Sequence, residues 1–163
     1  MKVNHLSIHF LLKEHTIVYP NDHPSHHLRV DLFFKLFVQY IEGTIGKDAP
    51  CFIVDWPALI STMAKEKSNN PAKVERFELY MRGMEIANGY TELLDPTAQR
   101  RRFLDDNEKR KRLGKTTFAI DDGFLESLGQ LTGTYAGVSI GVDRLLMALL
   151  NKDRIDDVLP RQI

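Results

Sequence analysis

Two glutamates seven residues apart, Glu78 and Glu85, flank the dipeptide Arg82-Gly83 and are the residues whose placement points most directly to chemistry. If Arg82 and Gly83 form the two-residue loop of a hairpin, Tyr80 faces Glu85 and Glu78 faces Ala87. Period-two alternation then puts both carboxylates on one face, one diagonal step apart. Carboxylates that close repel unless a cation lies between them or one is protonated. A second candidate lies in AGVSIGVDRLLMALL, residues 136–150. A strand from Gly137 to Val142 leads into an apolar helix beginning near Asp143. Glycines at 137 and 141 let a flat ligand lie against the strand, because no side chain holds it away. Arg144, in the first helical turn, can set a planar guanidinium over an aromatic base or beside a phosphate. Taken alone, this second pattern is common and is better explained by simple packing of strand on helix. The six histidines, His5, His9, His15, His23, His26 and His27, all fall in the first 28 residues. Imidazole is a common metal ligand, but no cysteine partner or HExxH spacing accompanies them, so the segment reads as a polar leader with a possible strand from His15 to Tyr19.

The elements that must position these groups follow from pattern and punctuation. Apolar residues cover most of the circumference of a helix from Val30 to Tyr40, which predicts a buried helix ended by Gly43 and Gly46. CFIVD, residues 51–55, reads as a strand covered on both faces, and KEKSNNPAK, residues 65–73, as a polar loop. Asp95 is a natural N-cap and Pro96 a natural first helical residue, opening a helix to about Leu113 that Gly114 stops. That helix holds seven basic residues between positions 100 and 112, a pattern usual for a solvated face. Residues 121–130 make a shorter helix. The chain as a whole has 163 residues, 43% hydrophobic and 27% charged, with 22 basic against 22 acidic side chains. This suits one ordinary globular domain and argues against disorder and against a general nucleic-acid binder. One cysteine, Cys51, leaves no disulfide framework. Apolar stretches are broken well before the ~20 residues of a membrane span, and MKVNHLSIHF lacks the parts of a signal peptide, so the cytoplasm is the expected location.

Read in order, Arg76-Phe77-Glu78, Gly83, Glu85-Ile86-Ala87-Asn88-Gly89-Tyr90, Glu92-Leu93 and Gly137-Val138-Ser139-Ile140-Gly141-Val142-Asp143-Arg144 resemble the C-terminal half of a class II lysyl-tRNA synthetase catalytic domain, the last run resembling motif 3. Asp106-Asn107, Lys109-Arg110, Gly114 and the approach segment Ile45-Gly46-Lys47-Asp48-Ala49-Pro50 are more similar to the short paralogues, the elongation factor P (R)-β-lysine ligase family. The resemblance runs from about Asp31 to the C-terminus. It implies an α+β fold, an antiparallel sheet flanked by helices, with residues 1–30 a His-rich leader and 31–163 a partial catalytic domain. It also implies ATP and Mg²⁺ as cofactors, lysine or (R)-β-lysine as substrate, and elongation factor P, not a tRNA, as acceptor. Carried over residue by residue, Glu78 and Glu85 hold the magnesium that bridges the ATP phosphates. Gly141 and Arg144 seat adenine and the terminal phosphate, with Arg144 the catalytic residue. Asn88, Tyr90 and Glu92 bind the amino acid, Glu92 pairing with an ammonium. Ser139 also faces the substrate, where the synthetases tend to have glycine and the ligases a small residue, usually alanine.

Strict alternation places Asn88, Tyr90 and Glu92 opposite Glu85, so a common site requires the strand to break its period between Glu85 and Asn88, or at Gly89. Motif 1, a motif 2 with its Phe-Arg-x-Glu signature, and an anticodon-binding domain are not found. Loss of one preorganised donor such as the motif 2 arginine costs ~10²–10³ in rate, so the chain by itself is expected to be inactive or very weak. An unpaired sheet edge, exposed apolar surface, self-association or pairing with an N-terminal half are expected in turn. Two alternatives remain open: a truncated lysyl-tRNA synthetase-like protein, and a noncatalytic remnant that binds a partner chain.

Overall fold

The structure is a computed structural model and describes residues 4–7, 33–60 and 63–160. Its strands are β1 (Asn4–Ser7), β2 (Cys51–Val54), β3 (Glu66–Lys67), β4 (Asn70–Val74), β5 (Arg76–Met81), β6 (Met84–Thr91) and β7 (Ala136–Ile140), and its longer helices are α1 (Pro96–Arg112), α2 (Asp122–Gln130) and α3 (Val142–Leu149). One sheet has the order β1-β2-β5-β6-β7, and β3 and β4 form a second, two-stranded one. The chain divides into two compact units, one made of Met1–Trp56, Arg76–Gly89 and Val138–Ile163, the other of Pro57–Glu75 and Tyr90–Gly137. His5 lies in β1. His9, His15, His23, His26, His27 and the strand read at His15 to Tyr19 lie outside the described residues.

In the first unit, β1 runs parallel to β2 and β2 antiparallel to β5, with Cys51 opposite Tyr80 and Ile53 opposite Glu78. The fold class is the expected α+β, with the parallel β1–β2 pair as the departure from a purely antiparallel sheet. Strand β2 is not covered equally on both faces, as its apolar run suggested: Cys51 and Ile53 are buried, while Phe52 and Val54 are half-buried. Arg82 and Gly83 both take positive φ, 55° and 76°, as the tight turn between right-twisted strands requires. Glycine is needed at 83, because a Cβ there would stand 2.8 Å from the Gly43 carbonyl oxygen. Arg82 tolerates its conformation while its guanidinium donates to the Met147 and Lys152 carbonyls, both at 3.4 Å, and pairs with Asp153 at 3.0 Å. These contacts close the C-terminal end of α3.

The helix expected from Val30 to Tyr40 is observed from residue 33, passes into a π-helical turn at Phe37–Ile41 and ends in a tighter turn at Glu42–Thr44. It is not buried all round. Phe33, Phe37, Ile41 and Ile45 form a buried stripe at spacing four, whereas Phe34, Val38 and Tyr40 are 43, 60 and 52% exposed. The stripe packs its rings on Trp56, with Phe37 5.6 Å and Phe33 6.2 Å away. The tryptophan meets one side of the helix in edge-to-face contacts, and the opposite side meets no such layer among the described residues.

In the second unit, residues 65–73 are not simply a loop. β3 and β4 pair as a hairpin, since Lys65 donates to the Thr91 carbonyl at 2.8 Å and Glu75 to that of Lys65 at 2.8 Å. Backbone pairing at a distance in sequence overrides the polar, turn-like composition. Helix α1 starts as read: Asp95 accepts from the Thr97 and Ala98 amides at 2.9 and 3.1 Å. Several of its basic residues are fastened to the fold, Arg102 on the Ala64 carbonyl (2.7 Å) and Glu66, and Arg110 on the Thr116 carbonyl (2.6 Å) and across the Phe118 ring.

Candidate active site

The β5–β6 hairpin places Glu78, Tyr80 and Glu85 on one face, as its two-residue turn dictates. Glu78 is 5% exposed, and both of its oxygens accept hydrogen bonds. The Arg76 guanidinium and the Asn88 amide (3.2 Å) donate to Oε1, and the Tyr80 hydroxyl donates to Oε2 at 2.9 Å. The Asn88 amide nitrogen also reaches Glu85 Oε1 at 3.5 Å, so one amide stands between the two carboxylates. The repulsion inherent in the pair is therefore relieved from within the chain, by a guanidinium and an amide. Burial still pushes the Glu78 carboxyl up to about 7, with Arg76 opposing the rise and Glu85 adding to it. Burial and the adjoining Glu78 carboxylate push the Tyr80 hydroxyl far up as well.

The required break in β6 is present. Asn88 shares hydrogen bonds with Glu85, Glu78 and Arg76, although strict alternation would turn it to the opposite face. Ile86 and Ala87 are buried in succession, where a regular half-buried strand would bury every second residue. The side-chain period thus shifts between Glu85 and Asn88 while the strand continues to Thr91.

Glu85, Ile86, Asn88, Ser139, Gly141 and Arg144 line a single open cleft of about 290 Å³. Gly141 follows β7 and is the N-cap residue of α3, its amide donating to the Ile86 carbonyl at 2.9 Å. A Cβ at Gly141 would meet Arg144 at 3.6 Å, and one at Gly137 would meet Glu92 Oε1 at 3.5 Å. Both are ordinary contacts, so packing of the described residues does not demand either glycine. Arg144 is exposed and donates to the Glu85 carbonyl at 3.1 Å, which leaves further guanidinium donors open to the cleft. Five of the expected site residues are thus gathered here, with Glu78 joined to them through Asn88. Tyr90 and Glu92 belong to the second unit, where the Glu92 amide donates to the Tyr135 carbonyl at 2.9 Å.

Among the described residues no group of three or more His, Cys, Asp or Glu converges. Magnesium needs none, because it takes one or two carboxylates and completes its shell with water and phosphate. The hard oxygen donors of Glu85, which faces the cleft, and of Glu78 behind it fit such an ion. No role for Arg76, Trp56, Asp143 or Ile155 follows from the sequence. Asp143 and Ile155 also line the cleft, and Arg76 lies over the Trp56 ring. Of these, only Arg76 carried a legible signal: it stands two residues before Glu78 and so shares its face.

A family model described as class II tRNA synthetases (D, K and N) matches residues 12–161. Curated relatives named elongation factor P--(R)-beta-lysine ligase include proteins of Vibrio atlanticus, 42% identical over 80% of this chain and 40% of that protein, and Avibacterium paragallinarum, 42% identical over 76% and 38%. A Buchnera aphidicola protein of the same name is 40% identical over 76% of this chain and 38% of its own length. The chain therefore spans about 40% of the length of the relatives it matches. No described helix is long and apolar enough to cross a membrane. With a hairpin of two carboxylates, a glycine-bearing strand and an arginine at the start of the next helix, all within the matched residues, this chain belongs to the class II tRNA synthetase family.

Proposed function

We propose that this chain carries the nucleotide- and amino-acid-binding part of an ATP-dependent ligase, which activates lysine or (R)-β-lysine and transfers it to a lysine of elongation factor P in the cytoplasm. The observation that carries this reading is the convergence of Glu85, Asn88, Ser139, Gly141 and Arg144 on one cleft, in a chain 42% identical to a ligase of that name. The functional domain includes residues 31–163, and β1 from the segment before it pairs with β2.

In this reading adenine lies against Gly141, where no side chain intervenes, and Arg144 covers the base and reaches the terminal phosphate. Magnesium, held by Glu85 with Glu78 behind it, supplies neutralising charge at the phosphates. Asn88 and Tyr90 contact the amino acid, Glu92 pairs with its ammonium group, and Ser139 limits its size. The substrate carboxylate attacks the α-phosphorus, the bond to the β-phosphate oxygen breaks and pyrophosphate leaves. The acceptor lysine amine then attacks the acyl carbon, AMP leaves and the amine releases a proton. The acceptor is a protein amine, and no tRNA takes part. The exposed apolar residues of β7 and α3 favour contact with the remaining part of the relatives' length, or with a second copy of the chain.

Calorimetric titration with ATP, with and without magnesium, tests the site. Magnesium-dependent binding that Glu85→Ala weakens at least ~10-fold is the expected result. Binding indifferent to both magnesium and Glu85, or no binding at all, overturns it. Titration with lysine and with (R)-β-lysine in the presence of magnesium-ATP then identifies the amino acid.

A further inference from the structure

Arg76 touches more of the polar cluster than any role assigned to it explains. Its guanidinium lies 4.6 Å from the centre of the Trp56 ring, and Trp56 is itself buried against Phe33 and Phe37. From that brace one terminal nitrogen pairs with Glu78 Oε1, and Nε donates to Asn88 Oδ1 at 3.3 Å. An asparagine amide has one accepting and one donating end. With the oxygen held by Arg76, the nitrogen must point at the carboxylates, where it donates to Glu78 at 3.2 Å and to Glu85 at 3.5 Å.

We propose that Arg76, braced on Trp56, is a positioning residue that fixes the orientation of the Asn88 amide and satisfies the Glu78 carboxylate from within. Glu85, which faces the cleft, is left as the carboxylate that meets an incoming cationic group. The planar fork of arginine is required, because two acceptors at different angles must be served by one rigid group. A lysine in its place keeps the charge and reaches only one of them. The inference rests on the reading of Asn88 as an amino-acid contact and Glu85 as the ligand for ATP-bound magnesium.

The test uses the ¹⁵N-labelled chain and the variants Arg76→Lys and Arg76→Gln/Glu78→Gln. The double variant removes both charges of the pair together and keeps the question open should Arg76→Lys fail to fold. The side-chain amide signals of Asn88, identified by their loss in Asn88→Ala, are followed alongside dissociation constants for lysine and for magnesium-ATP. In each folded variant the Asn88 amide protons are expected to move and to exchange with water at least ~10-fold faster. In Arg76→Lys, lysine affinity is expected to fall by ~10-fold or more, and magnesium-ATP affinity by less than ~3-fold. A purely structural residue would lower both equally, and that result, or unchanged Asn88 amide signals, overturns the inference. If the wild-type chain binds neither ligand, the proposed function fails, and the amide signals alone decide the role of Arg76.

Discussion

The β5–β6 hairpin and the segment from β7 into α3 border the same cleft and are built in opposite ways. In the hairpin, polar groups are buried or half-buried and each is answered: Glu78 by Arg76, Tyr80 and Asn88, and Asn88 by Arg76 and the two carboxylates. Along β7 no residue is buried. Val138 and Ile140 are 56 and 51% exposed, and Val142 at the start of α3 is 62% exposed, while Ser139 and Gly141 line the cleft. The hairpin completes its own hydrogen bonding, as buried polar groups must. The edge strand has β-branched side chains with nothing among the described residues to cover them, which makes it a template for pairing. The polar face of the site is thus internally complete, whereas its apolar support is not.

The sharpest way to break this contrast is to remove the internal cation. Arg76→Met is expected to lower stability by about 3 kcal/mol at pH 8, because it strands a buried carboxylate, and by less at pH 5, where that carboxylate carries a proton. Adding Glu78→Gln should restore most of the loss. Denaturant unfolding of the single and double variants checks this, and an unchanged pH 8 midpoint would mean that the hairpin does not depend on its own counter-charge.

Glu78→Gln alone probes the same burial through pH. Folded Glu78 keeps its proton up to about 7, against the ordinary 4.5 of a free glutamate. Between those values the folded state binds more protons than the unfolded one, so stability falls as pH rises through this window. The stability of wild type relative to Glu78→Gln is therefore expected to drop by up to about 3 kcal/mol between pH 4 and pH 8. Parallel pH curves for the two proteins would contradict the burial argument.

Glu85→Ala, at the boundary of the two regions, is expected to weaken magnesium-dependent ATP binding at least ~10-fold, about 1.4 kcal/mol, with little change in unfolding midpoint. The smallest effect on stability belongs to the edge strand. Ile140→Lys is expected to change it by no more than about 0.5 kcal/mol, as at other open positions. It should nevertheless reduce concentration-dependent self-association in sedimentation experiments. A large destabilisation would show that β7 is already covered, and the contrast would then fail.

Local chemistry made part of this molecule legible in advance. Asp95 and Pro96 opened α1, Arg82-Gly83 closed the hairpin, the glycine-bearing strand ran into α3, and alternation joined Glu78 to Glu85. Each depends on residues within a turn or two of one another, so sequence alone determined it. The hairpin of residues 66–74, the single buried stripe from Phe33 to Ile45 and the relief of the carboxylate pair were settled by residues far apart. Lys65 pairs with Thr91, and Arg76 rests on Trp56. The shift of period could be demanded from sequence and narrowed to Glu85–Asn88 or Gly89, but not fixed at one of them, because a strand's own pattern does not say which neighbour will hold its side chains. Sequence determined the types and order of the groups that do the chemistry. Only tertiary structure decided their charge balance and orientation, because burial and the direction of a hydrogen bond are properties of the packed surroundings.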